Sequence, residues 1–203
     1  MGLFSRKKNK AAAFGGSSGA PRADLVVPML AGQAWVDANE QTFSQLPDFP
    51  AGQWPFAAPI ADGLYVTYAI DPGPGWEVVK LDDVAAYGGA EALHAAALAN
   101  LGGRGDIQIE GAGGRYILIL PDERDLSISA LLDPGRWRSA VEVGGDLVVA
   151  IPTRIGAYLC GAEDEDAIAE LAQIAQEYFN DGDGKPVSPN LYRLTPAGLA
   201  LLD

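Results

Sequence analysis

The sequence contains one cysteine, Cys160, and one histidine, His94. A single cysteine excludes an internal disulfide and agrees with a reducing cytoplasm. A single histidine lacks the second histidine or nearby cysteine that a zinc site or a histidine-activated nucleophile requires. We therefore expect no metal, no cofactor, and a structural or solvated role for the His94 side chain.

Long apolar runs are also absent, since no run approaches the ~18–20 residues that cross a bilayer. The first residues do not show the charged-then-apolar order of a secretory signal. With 203 residues and a mean hydropathy of +0.06, the chain is long and apolar enough for one domain with a sizeable core. These features predict a cytoplasmic protein, with peripheral membrane attachment as the alternative.

Basic residues are scarce outside the N-terminal segment. Residues 1–22 contain five bases and no acid, whereas the rest of the chain contains nine bases and twenty-seven acids. Because such an acidic body repels phosphate backbones, we expect no nucleic-acid partner for it. Residues 1–23 are also poor in side chains that could anchor them to a core, which predicts a flexible basic tail.

The tail combines two apolar residues with closely spaced bases. Such a segment can make a weak contact with an anionic membrane, where each base contributes about 1 kcal/mol. The alternative is a disordered chain start whose charge aids solubility. The residues that would contact a membrane or a partner are Leu3, Phe4, Arg6, Lys7, Lys8 and Lys10.

Short strand-like segments separated by turns dominate the remaining sequence, and they pair as hairpins more readily than as β-α-β units. Apolar residues at helical spacing predict helices between them. We therefore expect an α+β fold, with a largely antiparallel sheet built from hairpins and two or three packed helices, as a single domain over 24–203. The predicted hairpins cover 64–81 and 107–120, and the predicted helices cover 90–101 and 164–179.

Residues 32–62 follow a short expected edge strand and are rich in aromatic side chains among prolines and glycines. We expect an irregular segment that lies across the core and anchors itself through its rings. Those rings are Trp35, Phe43, Phe49, Trp54 and Phe56.

The most informative run begins at Gly144 and ends at Arg154. Five consecutive apolar residues follow a Gly-Gly-Asp turn, and this predicts a strand that is buried on both faces. Pro152 has no backbone N–H, so the strand should end or reach a sheet edge there. Arg154 then lies at the rim of the sheet. Its guanidinium either anchors a carboxylate or phosphate of a ligand or partner, or forms a structural ion pair.

Acidic side chains form the second group of candidates. Three acids surround Arg124, and a fourth precedes the buried strand. Converging carboxylates can orient a cation or a polar ligand, but neighbours on one loop point apart and more often form a solvated turn with a local ion pair. The candidate ligand-binding residues are therefore Arg154, Asp146, Asp122, Glu123 and Asp125.

Residues 180–185 begin like a calcium-binding loop. Lys185 occupies a ligand position, however, and Pro186 replaces the glycine that such a loop needs. We therefore interpret this segment as a turn that ends a helix.

Four short motifs follow one another along the chain: LVVP at 25–28, GLYVTY at 63–68, LH at 93–94 with Ala97 and Asn100-Leu101, and GDLVVAIPTR at 145–154. Their order and spacing resemble the YtpQ-like family of bacterial proteins of unknown function, over roughly residues 24–194. This chain has Ser127-Ile128-Ser129 where the family has Glu-Ala-Ser, and Ile155 where it has an acid. If those family residues do chemistry, this chain has lost it. The resemblance implies a bacterial cytoplasmic protein and no particular reaction.

Three functional hypotheses fit the sequence. The first, which we favour, is a non-catalytic cytoplasmic protein-interaction domain that docks an unidentified protein through its acidic surface or its aromatic segment at 35–56. The second is a peripheral membrane-associated assembly factor tethered by the basic tail. The third is an enzyme of unrecognised type with Arg154, Asp146 and the acids of 122–125 in one cleft.

We expect a truncated chain that starts at Ala23 to lose binding to anionic vesicles, because the truncation removes every base of the tail. Co-sedimentation of the full-length and truncated proteins with phosphatidylserine-containing vesicles measures this, and neutral vesicles are the control. Equal sedimentation of the two proteins contradicts a membrane role for the tail.

Overall fold

The computed structural model describes residues 21–71, 75–181 and 185–202. Over these ranges, β-strands form two antiparallel sheets and three α-helices pack against them. This confirms the predicted α+β fold built from hairpins, although the hairpins divide between two sheets. The predicted tail lies outside the described residues except for residues 21–23.

The first sheet has the order β1-β3-β2, and a short fourth strand, β4, also pairs with β3. The second sheet has the order β10-β9-β7-β8-β6-β5. The strands are β1 Val26–Gly32, β2 Ala57–Ala61, β3 Leu64–Ile70, β4 Glu77–Val78, β5 Gln108–Ala112, β6 Arg115–Ile119, β7 Leu147–Thr153, β8 Gly156–Gly161, β9 Leu191–Thr195 and β10 Gly198–Leu201. The α-helices are α1 Gln33–Ser44, α2 Ala90–Gly102 and α3 Glu165–Asp181.

Short 3-10 helices connect these elements, and they cover Ala51–Gln53, Leu81–Tyr87, Pro121–Leu132, Pro134–Arg136 and Arg138–Ala140. Among the described helices, none is both long enough and apolar enough to cross a bilayer.

The prediction of an irregular segment over 32–62 is wrong in part, because α1 and β2 lie there. The sequence carries little sign of α1, since Gly32 provides no side-chain cap and Phe43 is the only buried residue of the helix. A helix without a cap or an apolar stripe lacks the signals by which helices are recognised. The aromatic rings do anchor the segment, since Phe43 stacks on Phe49 and Trp54 with ring centroids 5.0 and 6.1 Å apart.

The prediction of a strand buried on both faces is confirmed for β7, whose seven residues are all buried. Leu147, Val149 and Ile151 belong to the largest core cluster, which also contains residues of the first sheet. Val148 and Ala150 point the other way, into the cluster beneath α3. This placement on both sides explains why the run has no polar residue at alternate positions.

Pro152 interrupts the hydrogen-bond ladder of β7, because it has no backbone N–H to donate. The pairing of β7 with β8 shifts register between Ala150 and Thr153, so the ladder passes the proline by an irregularity. The strand therefore extends one residue beyond Pro152. Pro152 still accepts a hydrogen bond, since its carbonyl lies 2.8 Å from the Val187 N–H.

The segment 185–188 runs beside the end of β7 and is held there by backbone contacts. The Ser188 N–H donates to the Ile151 carbonyl at 3.0 Å, and Thr153 forms a bridge with Pro186. A Cβ atom placed on Gly32 would overlap the carbonyl of Val187. Glycine at position 32 therefore lets β1 approach this segment closely.

A buried hydrogen-bond chain joins the two sheets. The Tyr192 hydroxyl donates to the carbonyl of Asp62 at 3.2 Å, and it accepts from the Ser188 hydroxyl at 2.7 Å. Asp62 lies in the turn between β2 and β3, whereas Tyr192 lies on β9. These hydrogen bonds give partners to the Tyr192 and Ser188 hydroxyls, which burial would otherwise leave unsatisfied.

We expect Gly32→Ala to lower the free energy of unfolding by about 1–3 kcal/mol, because the added methyl group overlaps the Val187 backbone. Gly102→Ala is the matched control, since nothing lies within 4 Å of its Cβ position. The control should be neutral or stabilising by up to about 1 kcal/mol, as alanine favours a helix. Urea unfolding of both variants measures this, and equal stabilities contradict the close approach.

Candidate functional site

Arg154 lies in the tight turn of the hairpin between β7 and β8. Thr153 pairs with Gly156, so Arg154 and Ile155 are the two turn residues. The Ile155 side chain is exposed, with 47% of its surface accessible, whereas Arg154 is half-buried. The turn therefore directs a cation against the protein and an apolar side chain into solvent.

Arg154 lines two adjoining pockets that share Trp35 and Lys185. One pocket, of about 210 Å³, is bounded by β3 and β4 and includes Trp76. The other, of about 400 Å³, lies between the start of α1 and the segment 185–187. We call these two pockets together the Arg154 groove.

Lys185 and Arg154 differ in how their charges are neutralised. The Lys185 ammonium donates to a carboxylate oxygen of Asp125 at 2.7 Å. Within the described ranges, no ion pair or hydrogen bond joins Arg154 to another residue. Burial lowers the pKa of Arg154, and the negative charge of Asp125 opposes that effect. Since arginine stays protonated in proteins, the groove holds a partly desolvated cation to which no described residue offers an acceptor.

Every other described lysine and arginine side chain either forms a hydrogen bond or ion pair or is exposed to solvent. Arg124 is exposed, and Arg136 and Arg138 donate to backbone carbonyls. Lys80 donates to the side chain of Gln53. The remaining ion pairs are Arg22 with Glu77, Arg104 with Asp71 and Glu123, Arg115 with Asp164 and Glu170, and Arg193 with Asp146. A half-buried arginine without an acceptor is thus exceptional in the described part of this acidic chain.

The structure does not bring Asp146 together with Arg154. Asp146 precedes β7 and accepts a hydrogen bond from Arg193 at 3.4 Å, whereas Arg154 follows the strand. A strand rises about 3.3 Å per residue, so the two side chains are attached roughly 20 Å or more apart. Asp146 therefore contributes an exposed surface ion pair.

The acids at 122–125 also do not converge on one site. Glu123 accepts from Arg104 at 3.2 Å, and Asp71 accepts from the same guanidinium at 2.6 Å. Asp122 lies beside Gly105. Of these acids, only Asp125 lines the groove with Arg154. The non-helical backbone at Glu123, with φ −136° and ψ 61°, turns neighbouring side chains in different directions. The cleft required by the enzyme hypothesis is consequently not assembled from these residues.

Sequence reasoning did not identify Trp76 and Lys185 as site residues. Trp76 follows a glycine-rich turn, and the sequence pattern assigns Lys185 to a turn that ends a helix. The one signal in the sequence that bears on Lys185 is the scarcity of bases, since it is one of only nine after residue 22. Trp35 was included only as part of the aromatic segment.

The reactive groups named from the sequence have structural surroundings. The His94 Nδ1 atom lies 3.0 Å from the Tyr68 hydroxyl, and burial lowers the pKa of His94. Burial raises the pKa of the Cys160 thiol to about 11. The Ser127 hydroxyl accepts a hydrogen bond from the Leu120 N–H at 2.9 Å. Among residues 21–71, 75–181 and 185–202, no group of three or more His, Cys, Asp or Glu is arranged to hold a metal ion.

A larger and more open depression, of about 630 Å³, lies at the start of α3 and is lined by Gly144 and the acids at 163–166. Asp164 accepts a hydrogen bond from the Ala167 N–H at 2.9 Å. Acids at a helix N-terminus stabilise its free N–H groups. We assign these carboxylates to the helix and take the Arg154 groove as the candidate site.

We expect Arg154→Met to leave the free energy of unfolding unchanged or to raise it by up to about 1 kcal/mol, because it removes a partly buried charge that forms no ion pair with a described residue. Arg104→Met is the control and should lower it by about 1–3 kcal/mol, since it removes the guanidinium that Asp71 and Glu123 share. Thermal and urea unfolding measure both. If Arg154→Met lowers the free energy of unfolding as much as Arg104→Met does, Arg154 is a structural residue and this interpretation is wrong.

No family model matches the chain, and neither curated proteins nor solved structures show significant similarity to it. The resemblance to the YtpQ-like family therefore remains a prediction from the sequence motifs.

Proposed function

We propose that this chain is a non-catalytic cytoplasmic protein-interaction domain that docks its partner through the Arg154 groove. One observation carries the proposal: a half-buried arginine without an acceptor in the described part of the chain lies in a groove lined by two tryptophans. Arginine and tryptophan are the residue types that most often dominate binding energy at protein interfaces.

The rim of the groove supports docking. Trp76 and Val78 line the groove and remain 40% and 39% exposed, and the exposed Ile155 is the neighbour of Arg154 in the turn. Apolar side chains around a central cation can exclude water from its hydrogen bonds, which strengthens them. A partner that covers this rim therefore gains apolar burial and a desolvated charge pair together.

The surroundings of the reactive groups favour binding over catalysis. His94 contacts the Tyr68 hydroxyl, Ser127 accepts from the Leu120 N–H, and Cys160 is buried. None of these three side chains is among the lining residues of the groove. A binding role requires only the cationic and aromatic side chains that line the groove.

The membrane-associated alternative depends on residues 3–10, which lie outside the described residues. It remains a separate proposal, tested by the vesicle experiment on the truncated chain.

We expect Arg154→Glu to abolish capture of the partner, because it places a second carboxylate beside Asp125. The measurement replaces Ile155, which is exposed beside Arg154 but does not line the groove, with a photo-crosslinking amino acid in full-length protein expressed in its native cells, and identifies cross-linked proteins by mass spectrometry. Arg193→Glu is the matched control, since it makes the same charge change at the far end of β7.

A protein that cross-links in the wild type and the Arg193→Glu control but not in Arg154→Glu supports the proposal. Cross-links that are absent, or that persist in Arg154→Glu, contradict docking at this groove.

A further inference from the structure

Among the described residues that line the groove, one positive charge has no counterion. Arg154 and Lys185 each contribute one positive charge, and Asp125 contributes one negative charge that is already paired with Lys185 at 2.7 Å. The protein as a whole carries a formal charge of −13. A ligand group with one negative charge therefore neutralises the groove, whereas a group with two adds an uncompensated charge to an acidic protein.

This balance distinguishes a carboxylate from a phosphate. A phosphate monoester carries about −1.5 to −2 at neutral pH, and Asp125 would repel the excess. A carboxylate carries a single charge and matches the planar guanidinium in a two-point hydrogen-bonded pair. Since a guanidinium can also form a two-point pair with phosphate, the charge of the groove, and not its shape, favours the carboxylate.

The walls of the groove define the remainder of the ligand. Trp35 and Trp76 line the same pocket as Arg154, together with Met29 and Val78. Apolar walls of this kind favour an aromatic or branched aliphatic group, which loses water when it is buried. The pocket of about 210 Å³ has room for a single side chain.

We infer that the Arg154 groove recognises a peptide carboxylate that adjoins an apolar side chain, with Arg154 binding the carboxylate and Trp35 and Trp76 enclosing the apolar group. This inference rests on the proposed docking function and names the chemistry of the partner segment. The carboxylate is that of a chain terminus, because a C-terminal residue presents its carboxylate and its side chain from one Cα atom, and the pocket beside Arg154 has room for a single side chain.

Short peptides test this inference on the full-length protein. The first is N-acetyl-Gly-Gly-Phe with a free carboxylate, and the second is its C-terminal amide. The third, N-acetyl-Gly-Phe-Glu-Gly-amide, carries only a side-chain carboxylate. The fourth replaces that glutamate with phosphoserine. The first peptide should bind more tightly than the third, and equal or tighter binding of the third contradicts recognition of a chain terminus.

Tryptophan indole N–H signals in ¹⁵N–¹H correlation spectra provide the readout. The chain has four tryptophans, and Trp35→Phe and Trp76→Phe variants assign the two in the groove. The Trp137 indole is buried and donates to the Ala130 carbonyl at 2.8 Å, so its signal is an internal control. We expect a free-carboxylate peptide to shift the Trp35 and Trp76 signals and to leave Trp137 unchanged.

Three charge variants test the roles of the individual groups. Arg154→Gln should weaken binding of the carboxylate peptide at least about 10-fold, because it removes a charge-assisted hydrogen bond. Arg193→Gln, which makes the same charge change outside the groove, should bind as the wild type does. Asp125→Asn removes the acid that opposes a second negative charge, so it should tighten binding of the phosphopeptide more than that of the carboxylate peptides.

Equal binding of the amide peptide, or phosphopeptide binding about 10-fold tighter than carboxylate binding to the wild type, overturns the inference. If no carboxylate peptide binds while cross-linking to a partner still depends on Arg154, the ligand chemistry is wrong and the docking function stands. If the peptides bind but no protein cross-links in an Arg154-dependent way, the ligand chemistry stands and protein docking is wrong.

Discussion

Burial of β7 on both faces is the constraint on which the rest of the structure depends. One face of the strand contributes to the core shared by the two sheets, and the other packs beneath α3. A strand held between two layers cannot slide or rotate, because a shift of one residue would exchange its two apolar faces. The position where β7 ends, and therefore the position of Arg154, is fixed by the packing of the whole domain.

The groove forms because distant segments meet at that end. Hydrogen bonds from Val187 and Ser188 hold the segment carrying Lys185 against β7, and the close approach at Gly32 brings α1 and Trp35 beside it. No described residue forms an ion pair or side-chain hydrogen bond with Arg154, although the charge of Asp125 lies nearby. A guanidinium that the described residues leave without an acceptor is available to a partner, and this connects the packing of the strand to the proposed binding role.

The elements that the sequence predicts are those whose own residues carry a clear apolar pattern. The apolar run of β7 indicated burial on both faces, and the apolar stripe of α3 indicated a helix. The helix α1 has no cap and one buried residue, so its formation depends on contacts that are distant in sequence. The groove was only partly predictable for the same reason. Arg154 and Asp125 were identified as candidates, whereas their proximity to Trp76 and Lys185 arises from tertiary packing.

The central claim is that Arg154 pairs directly with a carboxylate of the ligand. A double-mutant cycle tests this most directly, combining Arg154→Gln with replacement of the peptide carboxylate by its amide and measuring the four dissociation constants. The account predicts a coupling energy of about 1.5–3 kcal/mol, the usual range for a hydrogen bond between charged groups. A coupling energy indistinguishable from zero would contradict it.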